Sequence, residues 1–282
     1  RELAVQVSKE IDSLQPKNKL KILSIYGGTS MNEQIKHLKY GIDVVVGTPG
    51  RVKDLINRGK LDVKHIRYAV LDEADEMLNM GFVEDIQDIL GGTNKDKSTL
   101  LFSATMPKEI LRIAKRFMKE YELIAVKKEQ ITISLTEQFY YSIKGKDKFE
   151  CLKRIIDISP DFYGIIFCKT RAGTDTLAHK LIENNYAAGA IHGDITQSQR
   201  EKILLQFRKK KINILVATDV AARGIDVNDL THVINNSLPQ SVESYVHRIG
   251  RTGRAGKKGI AITFVVPSER GKLKAVEKLI KQ

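Results

Sequence analysis

The apolar run Tyr68-Ala69-Val70-Leu71 leads directly into Asp72-Glu73-Ala74-Asp75, so three carboxylates crowd the carboxyl end of one predicted strand. Burying that much negative charge is costly unless a cation compensates it. One chemistry that uses such a turn is a Mg²⁺ site of the Walker-B kind. There one carboxylate, Asp72, holds the metal through its waters, and the adjacent Glu73 polarises an attacking water. An acidic helix N-terminus, favourable to the helix dipole with no ligand at all, explains the tetrapeptide equally simply. Ser103 and Thr105 follow a second predicted strand, Leu100-Leu101-Phe102, where small hydroxyl side chains can bridge the acids to their surroundings. A hydroxyl-rich turn before Pro107 is the plainer reading of the same residues. Further on, Arg248, Arg251 and Arg254 fall in one short segment punctuated by Gly250 and Gly253. Guanidinium groups are always charged and forked, and they suit a phosphate whose negative charge spreads during transfer.

Two more features point toward phosphate. Gly27-Gly28 lets backbone approach a phosphate chain closely, because no Cβ intervenes. Thr48 precedes Pro49 at a predicted helix start, where its hydroxyl and the free N–H groups of the first turn can meet an anion.

The elements that must position these residues are legible as short β-branched runs alternating with helical patterns. Val44-Val45-Val46, Tyr68–Leu71 and Leu100–Phe102 are followed, after residue 128, by Gly164–Phe167, Ala190-Ile191, Ile212–Val216, His232–Ile234 and Ile260–Phe264. This rhythm predicts α/β architecture with mostly parallel sheets covered by helices on both faces, in two domains, 1–128 and 129–282. The charged stretch Lys127-Lys128-Glu129-Gln130 has neither period and is the expected linker. In open parallel sheets ligands bind beyond the carboxyl ends of the strands, which is where the acids, the hydroxyls and Thr48 fall.

Composition fits a partner of opposite charge. The chain has 282 residues and a net charge of +13, with 22 basic against 18 acidic residues in 1–128 and 25 against 16 in 129–282. A polyanionic partner is favoured, although a lysine-rich solvated face gives the same count. No apolar run is long enough to span a bilayer, and a cytoplasmic protein is expected. The two cysteines, Cys151 and Cys168, read as reduced structural thiols.

Taken in order, the segments resemble those of the DEAD-box ATP-dependent RNA helicases along essentially the whole chain. Arg1-Glu2-Leu3-Ala4 is similar to the end of the family's PTRELA segment, Gly27-Gly28 to its GG turn and Thr48-Pro49-Gly50-Arg51 to its TPGR segment. Asp72–Asp75 matches the acidic tetrad and Ser103-Ala104-Thr105 the SAT motif. Later come Ile165–Cys168, His192-Gly193-Asp194 with Gln197 and Arg200, then Ala217–Asp226 and His247–Arg254. The resemblance implies two RecA-like domains that close on ATP, Mg²⁺ and single-stranded RNA; the sequence does not fix the oligomeric state, for which a monomer is the expectation. It implies an RNA track lined by Arg1, Gly27, Gly28, Thr48 and Arg51 in the first domain and by Arg200 and Thr218 in the second. It places Asp72 and Glu73 at the metal, Gly224 and Asp226 at the nucleotide, and Arg251 and Arg254 on the γ-phosphate. Ser103 and Thr105 would link hydrolysis to strand separation, and His247 would organise the closed cleft. A non-catalytic RNA-binding module and a DNA-directed helicase of the wider superfamily remain rival readings; the second usually ends its acidic tetrad in histidine where this chain has Asp75.

The family pattern also calls for a strand leading into G-x-x-x-x-G-K-[ST], and for an upstream glutamine motif, ahead of Arg1; neither occurs in the sequence. The first domain is therefore expected to be incomplete at its N-terminus and to leave a sheet edge or face uncovered. Asn236-Ser237 departs from the aromatic and aspartate often found there, which puts that loop's contacts in question. The 282-residue polypeptide by itself is expected not to turn over ATP, because nothing in it cradles the β- and γ-phosphates. A phosphate-release assay with RNA should match the no-enzyme control; release that disappears with Glu73→Gln would contradict this.

Overall fold

The computed structural model describes residues 1–16, 19–118, 120–125, 136–222, 225, 227, 230–239, 241–253 and 258–280, without the side chains of 242, 243, 279 and 280. The chain divides into two compact units, Arg1–Ala125 and Val126–Gln282. The expected linker, 127–130, lies outside the described residues. Among the described residues no helix is long and apolar enough to cross a membrane.

The first unit begins with α1 (Glu2–Leu14). Strands β1 (Ile22–Ile25) and β2 (Val44–Gly47) pair in parallel, with Ile22 opposite Val44. Strands β3 (Tyr68–Leu71) and β4 (Ser98–Leu101) form a second parallel pair with Tyr68 opposite Ser98. Where the sequence predicts a single doubly wound sheet, the described residues form two separate two-stranded sheets. The helices are α2 (Met31–Leu38), α3 (Pro49–Asn57), α4 (Ala74–Asn79), α5 (Val83–Gly91) and α6 (Lys108–Phe117). Ala69, Ala74, Ile86, Leu90, Ile110 and Ile113 make the core of this unit, with Leu71 and Leu101 packed against it. The side chains that alternate with these strand residues point the other way. Tyr68, Val70 and Phe102 are 67%, 58% and 54% exposed, so among the described residues no helix covers this face of the β3–β4 sheet.

The second unit holds one six-stranded parallel sheet. Its strands in chain order are β5 (Thr136–Ser142), β6 (Gly164–Cys168), β7 (Ala188–Ile191), β8 (Ile214–Thr218), β9 (His232–Asn235) and β10 (Gly259–Val265). They lie side by side as β5-β10-β9-β6-β8-β7. Helices α7 (Lys148–Asp157), α8 (Arg171–Glu183), α9 (Gln197–Arg208), α10 (Asp219–Ala222), α11 (Val242–Ile249) and α12 (Arg270–Ile280) complete it. Period-2 alternation divides the central strands between two cores. Ile166, Cys168, Val216 and Ile234 pack with Leu152, Leu177 and Leu181 on one side. Ile165, Phe167, Leu215 and Val233 pack with Leu204, Phe207 and Ala221 on the other. A side chain at Gly164 would bring its Cβ to 2.6 Å from the His232 carbonyl oxygen, so the first position of β6 excludes anything larger.

His232 stacks on Phe162 with ring centroids 4.8 Å apart and is buried. Burial lowers its pKa below the usual 6.5 and keeps the ring neutral. The unfolded chain therefore takes up a proton as pH drops through about 6.5 while the folded one does not, and this unit loses stability over that range. The loss levels off once the pH passes below the folded value. Urea unfolding of the wild type between pH 7.5 and 5 should show this fall; a His232→Gln variant should flatten it, and an unchanged slope in that variant would contradict the assignment.

Candidate functional site

At the end of β3 the three acids separate into two roles. Asp75 is only 4% exposed. Its Oδ2 accepts hydrogen bonds from both the backbone N–H and the Oγ1 of Thr105, each 2.8 Å, and its Oδ1 accepts from Glu76 N–H at 3.2 Å. Asp75 N–H donates to Ser103 Oγ at 3.1 Å, and that hydroxyl donates to Thr105 O at 2.6 Å. Burial by itself pushes the Asp75 carboxyl up, but the bonds from Thr105 and Ser103 outweigh it and hold the group below the ordinary 3.8. The donors after β4 thus stabilise the buried Asp75 carboxylate in its charged form from within the fold. Asp72 is exposed, and its Oδ1 accepts from Glu73 N–H at 2.9 Å. Glu73 sits at φ 50°, ψ 48°, a left-handed conformation that costs a side-chain-bearing residue about 1–2 kcal/mol. The sheet ladder continues past this kink, with Phe102 N–H on Leu71 O at 2.7 Å and Ala74 N–H on Phe102 O at 3.1 Å.

A second group of residues surrounds the turn after β1. Gly28 has φ +89°, a conformation that glycine adopts without strain. A Cβ built on Gly27 would lie 3.9 Å from Arg1 Nη2, so Arg1 and the glycine turn are neighbours. Thr48 occupies the N-cap of α3 but its side chain makes no capping bond. The hydroxyl and the N–H groups of Gly50 and Arg51 are thus not consumed within the first turn. Arg51 turns toward the fold, with Nη1 on Gln34 Oε1 at 3.1 Å and Thr29 O at 3.4 Å. Gln34 carries no motif, and its place on the same helical face as Met31 and Leu38 is the one signal that could have singled it out.

In the second unit Arg248, 3% exposed, is the anchor. Its Nε and Nη2 meet Asp219 Oδ1 and Oδ2 at 2.5 and 2.7 Å in a forked pair, and its Nη1 donates to Asn235 Oδ1 at 2.9 Å and Ser237 O at 2.7 Å. The guanidinium also lies 4.9 Å from the Phe167 ring centroid. One side chain thereby ties α11 to the residue after Thr218 and to the turn after β9. Arg251, one turn further along, donates from Nη1 to Ile225 O at 3.2 Å. His247 is half-buried on α11. Arg200 on α9 donates from Nη2 to Ala221 O at 2.5 Å, which directs it at α10. The buried His192 pairs with Asp175 at 2.7 Å, and Asp194 accepts from Arg171 at 2.5 Å. Gly224, Asp226 and Arg254 lie outside the described residues.

Comparison with known proteins settles the family. Residues 1–113 match the family model DEAD/DEAH box helicase, and residues 147–256 match Helicase conserved C-terminal domain. The whole chain is 51% identical to the DEAD-box ATP-dependent RNA helicase CshA of Geobacillus kaustophilus and spans 60% of its length. It is 54% identical over 281 residues to the probable ATP-dependent RNA helicase MJ0669 of Methanocaldococcus jannaschii, spanning 75% of that protein. The chain belongs to the DEAD-box helicase family. Among solved structures, S. cerevisiae Dbp5 bound to RNA and ADP BeF3 matches 99% of this chain and 73% of its own at a TM-score of 0.87 and 30% identity. As in the sequence reading, the chain's parallel α/β units are those of the RecA-like DEAD-box fold.

The Asp75 network has a direct test in stability. Asp75→Asn places an NH₂ against either the Thr105 donors or Glu76 N–H, whichever way the amide turns. The first unit should lose about 1–3 kcal/mol at pH 7. Because the native carboxyl titrates below 3.8, its contribution is complete above that value and disappears as pH falls through the lower, folded value. Urea unfolding of both proteins should therefore give curves that draw together as pH falls below 3.8; a gap that stays constant as the pH falls would contradict the charge-based account.

Proposed function

We propose that this chain is the greater part of an ATP-dependent RNA helicase core that couples ATP binding and hydrolysis to local unwinding of RNA duplexes. In this reading residues 1–128 belong to the ATP-binding domain and 129–282 to the C-terminal helicase domain. The observation that carries it is the division among the acids: Thr105 and Ser103 occupy Asp75, leaving Asp72 and Glu73 at the open carboxyl end of β3. Carboxylate oxygens are the hard donors that Mg²⁺ prefers. Among the described residues no cluster of three or more metal-ligating side chains exists, which fits an ion that keeps its waters and takes substrate oxygens. Asp72 and Glu73 would hold it, and when bound it would neutralise charge on the transferring phosphates.

The roles of this chain's own groups follow from their settings. Glu73, strained at the turn, is placed to orient and polarise the attacking water. Arg251 lies in the turn just after the helix that Arg248 anchors and would supply a forked cation for the charge developing on the γ-phosphate, with Arg254 as its expected companion. Gly224 and Asp226 would meet the nucleotide, and His247 would organise the closed cleft. Ser103 and Thr105 act on the acids by bonding Asp75, so a shift of their turn reaches Asp72 and Glu73 through one residue. Arg1, Gly27, Gly28, Thr48 and Arg51, with Arg200 and Thr218, form the RNA-facing set. These groups read phosphates and sugar, not base edges, so binding should depend on salt and hardly on sequence. The relatives named as RNA helicases and the RNA-bound Dbp5 structure support RNA as the partner.

In the full-length protein, Arg251→Ala should lower RNA-stimulated ATP turnover by on the order of 10³ or more, with poor rescue by Arg251→Lys, because lysine keeps the charge and loses the fork. Nucleotide-free RNA binding should hardly change. Intact turnover with RNA binding weakened in a salt-dependent way would make Arg251 an ordinary backbone contact and remove it from the chemistry.

A further inference from the structure

Gln34 is 6% exposed and uses its whole amide. Nε2 donates to Tyr26 O at 3.0 Å and to Thr29 Oγ1 at 2.7 Å, while Oε1 accepts from Arg51 Nη1 at 3.1 Å. The amide orientation is dictated by its partners, since a carbonyl can only accept and a guanidinium can only donate. Tyr26 and Thr29 flank Gly27-Gly28, so a single side chain grips the glycine turn on both sides and ties it to α3. Thr29 Oγ1 adds a bond to Tyr26 O at 3.2 Å, and Thr29 O accepts from both terminal nitrogens of Arg51 at 3.4 Å. Of the five guanidinium N–H groups, these contacts leave Nε–H and one on Nη2 for an outside acceptor.

We infer that Gln34 is a positioning residue for RNA binding: it fixes the Gly27-Gly28 turn and the Arg51 fork at one separation, so that both meet neighbouring backbone phosphates without further ordering. This rests on the RNA reading above. The alternative for a flexible turn is to become ordered on binding, and that cost appears as weaker affinity. Glycine makes the cost large, because an untethered Gly-Gly pair samples more backbone conformations than any other dipeptide. Gln34 removes the cost in advance from inside the fold and carries no charge itself.

The test uses the full-length protein and measures ATP turnover against RNA concentration. Gln34→Met keeps the volume and loses every bond; Gln34→Glu keeps the Arg51 partner but sets a carboxylate against the Tyr26 carbonyl. Both should raise the half-saturating RNA concentration about tenfold, with kcat at saturating RNA and KM for ATP within about twofold of wild type. Thr29→Val, at the less buried end of the same network, should move it in the same direction by about threefold and serves if the Gln34 variants fold poorly. The slope of log affinity against log salt should stay as in wild type for Gln34→Met, whereas Arg51→Ala should reduce it by roughly 0.7. An unchanged RNA half-saturation, or a fall in kcat in step with a rise in KM for ATP, overturns the positioning role while leaving the RNA reading intact. A wild-type protein whose turnover ignores RNA altogether overturns both.

Discussion

A charge or amide taken out of water must be met by fixed partners, and in this chain the candidate reactive groups lie within a few residues of a buried polar side chain that is so met. Asp75 lies two and three positions after Glu73 and Asp72, and Arg248 lies three before Arg251. Gln34 stands one helical turn beyond the glycine loop it grips. The buried member is tied at several points: Asp75 to Thr105 and Ser103, Arg248 to Asp219, Asn235 and Ser237. The neighbouring member is then presented at a fixed place. Removing a buried partner leaves an uncompensated group behind, so such anchors tolerate substitution less well than the residues they present.

Strain is distributed in the same spirit. Glu73 is the described non-glycine residue with positive φ that falls in a motif; Asn185 and Lys210, the other two, end helices of the second unit. A left-handed glutamate survives because the ladder bonds of Phe102 and Ala74 fix the chain on both sides of it. The residues after β4 thus stabilise the charged Asp75 and also hold the kinked turn in register with its neighbouring strand. Any displacement of Ser103 and Thr105 would be transmitted to the acids over very few bonds, a mechanical linkage that needs no long pathway.

Much of this was legible in residue order. β6 reads Gly-Ile-Ile-Phe-Cys and is buried at all five positions, as a central parallel strand must be. Thr48 followed by Pro49 marks the start of α3, although the threonine does not cap with its side chain. What the sequence could not convey was pairing across space. Arg51, read as an RNA contact, spends three of its N–H groups on its own fold, and Arg200 turns to the Ala221 carbonyl. Gln34 looks like a solvated helix residue until Tyr26, Thr29 and Arg51 are brought around it. The split of the first unit into two small parallel sheets was equally hidden, because periodicity tells a strand from a helix but does not name its neighbour.

The loop at Asn236-Ser237, where the sequence departs from the family pattern, shows why such a departure is tolerated. Arg248 binds the carbonyl oxygen of Ser237, and Lys148 donates to the carbonyl oxygen of Asn236 at 2.7 Å. Every residue type supplies a carbonyl, so the anchor depends on the path of the loop and not on its side chains. A side-chain bond from this pair, Asn236 Nδ2 to Cys168 Sγ at 3.7 Å, goes to a weak acceptor whose thiol burial pushes up to about 11. Asp219 and Asn235, in contrast, contribute side-chain oxygens to Arg248 and could not be exchanged for apolar residues without stranding a buried guanidinium. Tolerance at two positions and constraint at their neighbours follow from a single distinction, whether the backbone or the side chain answers the buried charge.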